Sequence, residues 1–442
     1  MAVECVGDLG MQIILSKLTP EEVASVACVN RRFKIWASDD SIWAKFCSDH
    51  LHLSSPVDHL HNPLPSFKAS YQSWRKEFRM YPWPLVLRVK QCWKDIKDWL
   101  STNFPEVLGT LRKGASEDDI SLLESSLKVR LPVCTRVLYR FCDGQEITSK
   151  EFNGRKFKNL LGLIGGYSFY EHLVNVFLFS LSRMISETKD IIRQMGFGQK
   201  SNYVVVAASL FNEKIFFLNC NNGQLYVGTR NLITDGEMIP CVPKELISSI
   251  HGVKGSQPQD AMLLWLEEHA HRLQSGVVKV RQEKKFRSIN LFPEDPPLCS
   301  TAVTNGVKVR SSAVLAPEYC DLQDDSEKFF FSYSIRLSLV PEGCIINGIN
   351  FSSCQLYWRH WIIRANDTVV SDVNGEAVIG KYPILQPGAE EFIYESCTPL
   401  PSSSGSIEGA FTFVPGRLAD PKDSPFLVEV ARVPLQVPDY IF

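Results

Sequence analysis

With 442 residues, 45% of them hydrophobic and 22% charged, the chain exceeds one hydrophobic core and is too apolar for disorder. Two to three globular domains are expected. A formal charge of −2, with the basic run Arg281–Arg287 short and mixed with acid, gives no electrostatic case for a nucleic-acid partner.

Helical signals open the chain. Leu9 to Leu18 reads as a short helix in which Ile13, Ile14 and Leu15 follow in succession. At about 100° per residue these three span about 200° of the wheel, wider than one core-facing stripe. Thr19-Pro20-Glu21-Glu22 starts a second helix: Thr19 can cap, proline suits the first helical position, and Glu22 can reach back as the box partner. A third helix carries Val29, Phe33 and Trp36. A fourth, after Ser38–Asp40, carries Ile42, Trp43, Phe46 and Leu51. So small a unit has little core of its own. Apolar residues on two sides of its helices therefore leave two readings: a surface covered by a partner, or cover from residues 67–100 of the same chain.

The succession Asp8-Leu9, Ile13-Ile14-Leu15, Leu18-Thr19-Pro20-Glu21-Glu22-Val23, Val26-Ala27-Cys28-Val29-Asn30-Arg31-Arg32-Phe33 and Asp39-Asp40-Ser41-Ile42-Trp43 resembles the F-box motif over its whole length. The family's common Leu-Pro opening is absent, with Val6-Gly7 in roughly its place. The resemblance implies that Leu9, Ile13, Ile14, Leu18, Pro20, Val23, Val26, Val29 and Phe33 are shared between the module's core and a Skp-type adaptor.

The middle of the chain mixes helices and strands. Pro84 to Leu100 is an amphipathic helix with Leu85, Val89, Cys92, Trp93, Ile96 and Leu100 on one face. Ser116-Glu117-Asp118-Asp119 opens another, and Leu131-Pro132 a third that ends at Asp143-Gly144. Strands are expected at Tyr203–Ala207, Ile215–Leu218 and Leu225–Gly228, the last two joined by the hairpin signal Asn221-Asn222-Gly223. Asp260–Leu273 is a closing helix. The run from Ile120 and Leu123-Glu124 through Leu131-Pro132 and Leu138-Tyr139 to Phe141-Cys142-Asp143-Gly144 resembles the SUKH (SMI/KNR-like) superfamily. That likeness implies protein recognition and supplies no catalytic residue.

Phe292-Pro293-Glu294-Asp295-Pro296-Pro297 breaks the pattern before a strand-rich end. From Phe329 to Leu339 apolar and mainly polar residues alternate, which predicts a strand with one face inward. Further strands are expected at Val307–Leu315, Gln355–Ala365, Glu391–Ser396, Ser406–Val414 and Phe426–Pro434, a density that argues for an antiparallel sandwich. Four separated segments, Gln355–Ile363, Val373–Gly380, Pro383–Gly388 and Gly405–Phe411, look like the ApaG family in order, and the likeness covers Asn305 to Pro438. It implies an immunoglobulin- or fibronectin-like sandwich. Family members commonly show Gly-x-Gly-x-x-Gly near Gly375 and Gly380, which makes that segment a candidate nucleotide or pyrophosphate loop. Here the middle glycine is Ala377, and no helix start follows to hold a phosphate. A turn needing positive φ at Gly375 and close packing at Gly380 explains the pattern without a ligand.

Other constellations carry less. His50, His52, His59 and His61, with Cys47, Asp49 and Asp58, have irregular spacing around Pro56 and Pro63, so a solvated loop is expected rather than a metal site. Thirteen cysteines without a Cys-x-x-Cys pair read as reduced thiols. Met1–Gly10 lacks a basic region before an apolar run, and Leu173–Leu181 is too short to cross a bilayer, so a cytoplasmic or nuclear protein without a membrane partner is expected.

The expected fold is multidomain α+β: a helical F-box at 1–52, a helical connector at 53–83, a mixed α/β SUKH-like domain at 84–285, a Pro-rich linker at 286–304, and an all-β ApaG domain at 305–442. That order resembles plant F-box proteins of the Skp-interacting-partner group and animal F-box-only proteins with an ApaG domain. The animal-type acidic tail is missing at Asp439-Tyr440-Ile441-Phe442, so no function resting on such a tail is expected. The resemblance implies a non-catalytic substrate receptor of a cullin-RING ubiquitin ligase. It needs no cofactor, joins a Skp-type adaptor and holds a target protein. The alternative is a small-ligand protein or enzyme built on the loop of Gly375 and Gly380.

Overall fold

The computed structural model describes residues 7–147, 160–170, 172–195, 202–248, 258–283 and 286–442. Five helices come first: α1 (Asp8–Leu15), α2 (Pro20–Val26), α3 (Arg31–Trp36), α4 (Asp40–Leu51) and α5 (Phe67–Glu77). Helices this short lean on their caps, because end groups are a large share of their backbone donors. Thr19 Oγ1 accepts from Glu22 N at 3.2 Å and the Glu22 carboxylate accepts from Thr19 N at 2.8 Å, a closed capping box. Asn30, Asp39 and Ser66 cap α3, α4 and α5. Asp40 also accepts from the Phe67 and Lys68 amides at 3.1 and 3.0 Å, which ties α4 to the start of α5.

Four helices lead into the middle region: α6 (Trp83–Asn103), α7 (Pro105–Leu108), α8 (Glu117–Leu127) and α9 (Val133–Phe141). Then come β1 (Gly165–Phe169), β2 (His172–Leu178), α10 (Leu181–Gln194), β3 (Tyr203–Ser209), β4 (Ile215–Asn219), β5 (Leu225–Gly228), α11 (Leu232–Asp235), β6 (Met238–Pro240), α12 (Ala261–Ser275), β7 (Lys279–Glu283) and β8 (Phe286–Asn290). The strands form one sheet in the order β6-β5-β4-β3-β2-β1-β8-β7, antiparallel except at β1–β8. Helix α12 packs on α6 and α9. Buried Asp260 fixes that junction: it caps α12 by accepting from Leu263 N at 3.0 Å, and accepts from Thr135 N and Oγ1 at 2.8 Å each.

The remaining strands are β9 (Cys299–Thr304), β10 (Val307–Leu315), β11 (Phe329–Leu339), β12 (Cys344–Ile346), β13 (Ile349–Phe351), β14 (Cys354–Ala365), β15 (Thr368–Glu376), β16 (Ile384–Leu385), β17 (Phe392–Leu400), β18 (Ser404–Arg417), β19 (Asp420–Pro421) and β20 (Phe426–Gln436). One sheet runs β17-β11-β10-β9. The other runs β15-β14-β18-β20, with β16 on β14 and β19 on β18, and β12-β13 stand apart as a hairpin. All pairings here are antiparallel, and the inner faces of the two sheets share a core that includes Leu356, Trp361, Phe411 and Phe413. The protein is thus multidomain α+β, with N-terminal helices, a mixed middle and an all-β end.

Two expectations differ from what is observed. Residues 286–304, expected as a linker, contribute β8 to the middle sheet and β9 to the sandwich. Even the stretch between is pinned: Leu291 N donates to Gly166 O at 2.8 Å, and Glu294 pairs with Arg281 at 2.7 Å and with Arg336. Prolines there mark a turn of the chain, not a gap in packing. The polar face of β11 is not solvated either, since Ser332, Ser334 and Arg336 are buried. The middle region lies against it, and Arg336 pairs with Glu294 of the stretch between β8 and β9.

Candidate docking surface of the N-terminal helices

The nine apolar residues of the N-terminal motif divide by burial. Pro20 and Val23 are buried with Met11, Leu15, Trp36 and Trp43, so this chain's own core takes them up. Leu18, Val26 and Phe33 are half-buried at the margin. Leu9, Ile13, Ile14 and Val29 face solvent, with Leu9 72%, Ile13 56% and Val29 66% exposed. On α1 the inward Met11 and Leu15 are four apart, and so are the outward Leu9 and Ile13, which gives the helix two opposed apolar stripes. Cover from residues 67–100 goes instead to α4, through α5.

Polar bonds hold α1 with its second stripe outward. Trp36 Nε1 donates to the Asp8 carboxylate at 2.7 Å, and Gln12 Nε2 donates to Asp39. Trp36 meets Phe33 edge-on at 5.4 Å, and the Arg32 guanidinium lies 4.6 Å from its ring centroid. Ile35 on α3, a helix that packs against α1, is 66% exposed as well. Phe33 and Trp36 account for the inward face of so short a helix, so Ile35 carries no separate signal in the sequence. Covering each of these exposed side chains would favour association by about 1–2 kcal/mol.

The glycine loop differs from its expected form. Gly375 lies in β15 opposite Arg359, and a Cβ there would meet the guanidinium at 3.2 Å. Gly380 takes φ +71° in open space, and buried Ala377 at +60° and exposed Ile379 at +44° share the same left-handed region. The roles are exchanged: Gly375 makes room and Gly380 makes the turn. Arg359 Nη1 donates to the carbonyls of Glu376 and Ala377 at 2.8 and 2.6 Å, so the loop is tied by protein groups, and strand β16 follows it.

The histidine-rich loop is built around aromatic rings. His50 stacks on Phe46 at 5.7 Å, and His59 sits edge-on to Phe78 at 5.2 Å. Among the described residues no three His, Cys, Asp or Glu side chains are grouped to hold a metal ion. Burial pushes the Cys47 thiol up to about 11 and Cys142 up to about 12, and raises Cys134 as well. These thiols are protonated near neutral pH and are weak nucleophiles. Among the described residues no helix is long and apolar enough to cross a membrane.

Comparison with known proteins bears on the two ends of the chain. Residues 11–49 match the F-box-like family model, and residues 320–415 match that of the ApaG domain. The F-box protein SKIP16 of Arabidopsis thaliana is 55% identical over 444 residues, covering 100% of both chains. Human F-box only protein 3 is 23% identical over 448 residues, covering 97% of this chain and 82% of its own. Protein ApaG of Nitrosomonas europaea is 34% identical over 108 residues, covering 24% of this chain and 76% of its own. With two opposed apolar stripes at one end, a sandwich at the other and a full-length relative of the same order, the chain belongs to the F-box proteins that carry an ApaG domain.

Proposed function

We propose that this chain is the substrate-receptor subunit of a Skp–cullin–F-box ubiquitin ligase, working in the cytoplasm or nucleus. The observation that carries this reading is the outward stripe of Leu9, Ile13 and Ile14, with Val29, inside the segment that matches the F-box-like family. A Skp-type adaptor covers that stripe and brings the cullin with it. Leu18, Val26 and Phe33 form the margin of the contact, while Pro20 and Val23 act from beneath by holding the helices in place. The middle region, residues 84–285, serves as a SUKH-like recognition domain, and the ApaG domain shares the target with it.

The chain's part in ubiquitination is proximity. It raises the effective concentration of a target beside a transfer centre on other subunits, and so needs no nucleophile of its own.

The test is adaptor binding by the full chain and by Ile13→Asp and Val29→Asp variants. Both positions are exposed, so thermal unfolding should stay within about 2 °C of the parent. Affinity for the adaptor should fall by about tenfold or more, and cullin should no longer co-purify. Undiminished adaptor binding in both variants would sink the reading.

A further inference from the structure

At one side of the sandwich the two sheets stand apart. The register of β14 against β15 sets Arg359, Trp361 and Ile363 opposite Gly375, Val373 and Ser371, all on the inner face. Across from them β11 and β17 present Tyr333 and Tyr394, and Tyr170 reaches in from the middle region to bond Ser396 at 3.0 Å. A cleft of about 480 Å³ lies between.

Two donors line this cleft, one without a hydrogen-bond partner and one without a carboxylate. Tyr394 is 4% exposed, and its hydroxyl has no hydrogen-bond partner. A buried polar group in that state is destabilising, and an incoming acceptor would relieve it. The Arg359 guanidinium also lines the cleft, and among the described residues no carboxylate pairs with it. Its Nη1 holds two backbone carbonyls, which fixes the cation in place. Glu376 at the rim is engaged by the Tyr382 hydroxyl at 2.9 Å. A phenol and a guanidinium lining one cleft suit a carboxylate.

The cleft is flanked by two edge strands. Strand β17 is covered by the middle region, where Ser168 Oγ donates to Glu395 at 2.6 Å and Tyr170 meets Ser396. Strand β15 ends its sheet uncovered, with Val369 and Val370 each 46% exposed. Apolar side chains on a bare edge strand are what proteins ordinarily avoid, and where kept they suit pairing with an extended chain. A strand added there would continue the inner-face row of Trp361 and Val373, so every second side chain would point over the cleft.

We propose that β15 accepts an extended segment of a target protein as an added strand, which sets one acidic side chain between the Arg359 guanidinium and the Tyr394 hydroxyl. This rests on the receptor reading and names how the target is held. A displayed library of random decapeptides, selected on the full chain, tests it. Selected peptides should alternate β-branched residues around a single Asp or Glu. Changing that acid to its amide should weaken binding by about tenfold or more, and Tyr394→Phe and Arg359→Gln should each do the same. Tyr394→Phe keeps the ring and removes only an unpartnered hydroxyl, so its fold is preserved. Amide exchange should slow across residues 368–376 when peptide binds. Peptides with no acid requirement, or protection confined to the middle region, overturn the inference. Protection of 368–376 on concentrating the chain without peptide also overturns it, because the added strand then comes from a second copy. Adaptor binding, measured alongside, should be intact in both variants. Failure of the peptide arm alone rejects the edge-strand site, whereas failure of the Ile13→Asp test rejects the receptor reading.

Discussion

His269 lies fully buried on α12, where Nε2–H donates to the Leu163 carbonyl at 2.9 Å and the ring meets Phe442 at 5.5 Å. Desolvation holds its pKa down at about 4, against 6.5 for a free side chain. The folded chain therefore refuses a proton that the unfolded chain accepts. Stability from this residue is complete above pH 6.5 and is lost as pH falls from 6.5 toward about 4. Near pH 5 the loss is roughly 2 kcal/mol. Replacing His269 with Gln keeps a donor for Leu163 and removes the titration. Urea unfolding near pH 7 and pH 5 should show the variant losing about 2 kcal/mol less than the parent on acidification. Equal losses would show that the imidazole stays neutral in both states or charges in both. Only the fold exposes this sensitivity, because the helix expected at Asp260–Leu273 does not by itself tell which of its residues are buried.

Strand β9 carries the clearest lesson at the level of elements. Six residue pairs join it to β10, from Val307↔Thr304 to Ser312↔Cys299, and Ser300 Oγ donates to the Ala431 carbonyl on β20 at 3.0 Å. It therefore stitches one sheet to the other at a corner. In an antiparallel ladder neighbouring residues point their N–H groups alternately toward and away from the partner strand. Of the two variants Ala302→Pro and Thr301→Pro, one should lose about 1–3 kcal/mol and the other should be nearly silent. Two silent variants in thermal unfolding would mean that 299–304 is a loose connector after all. The helix starts, by contrast, were legible: Thr19 and Ser116 both cap with the acid three residues on, as their spacing predicts. A cap is decided within four residues, so the local sequence contains all of it.

Across the whole molecule one apolar cluster runs from Met11 to Phe442. The N-terminal helices join the middle region through Trp74 and Phe78, whose rings lie 5.9 and 5.2 Å from Phe141, and through Lys90, which donates to the Leu51 carbonyl at the end of α4. The sandwich joins it through its last residues. Trp265 Nε1 donates to Ile441 O at 2.7 Å, Phe442 stacks on Trp265 at 5.5 Å, and buried Lys214 donates to the Phe442 carbonyl. Glu318 of the sandwich completes the junction, accepting from the Tyr167 hydroxyl at 2.8 Å and meeting His172 at 2.9 Å. Removing residues 439–442 leaves Lys214 short of an acceptor and Trp265 half-uncovered. Calorimetry should then show the main unfolding transition move down and split, with the sandwich separating from the middle region. An unchanged single transition would mean that these residues only rest on the surface. Such a junction packs the N-terminal helices, the middle region and the sandwich into one continuous core.

What the sequence determined by itself is whatever a few neighbouring residues decide: the caps at Thr19 and Ser116, the two opposed stripes of α1, the period of β11 and the motifs at both ends. Tertiary structure decided everything that depends on which distant segment arrives to cover a face. Val23 was taken into the core while Val29 was left out, the serines of β11 were buried against the middle region, and the stretch expected to be a linker became two strands. The roles of Gly375 and Gly380 were settled in the same way, by an arginine from the neighbouring strand. Local patterns fix backbone conformation because its energetics act over a turn or two. Burial is a contest among remote parts of the chain, and short-range pattern carries no record of its outcome.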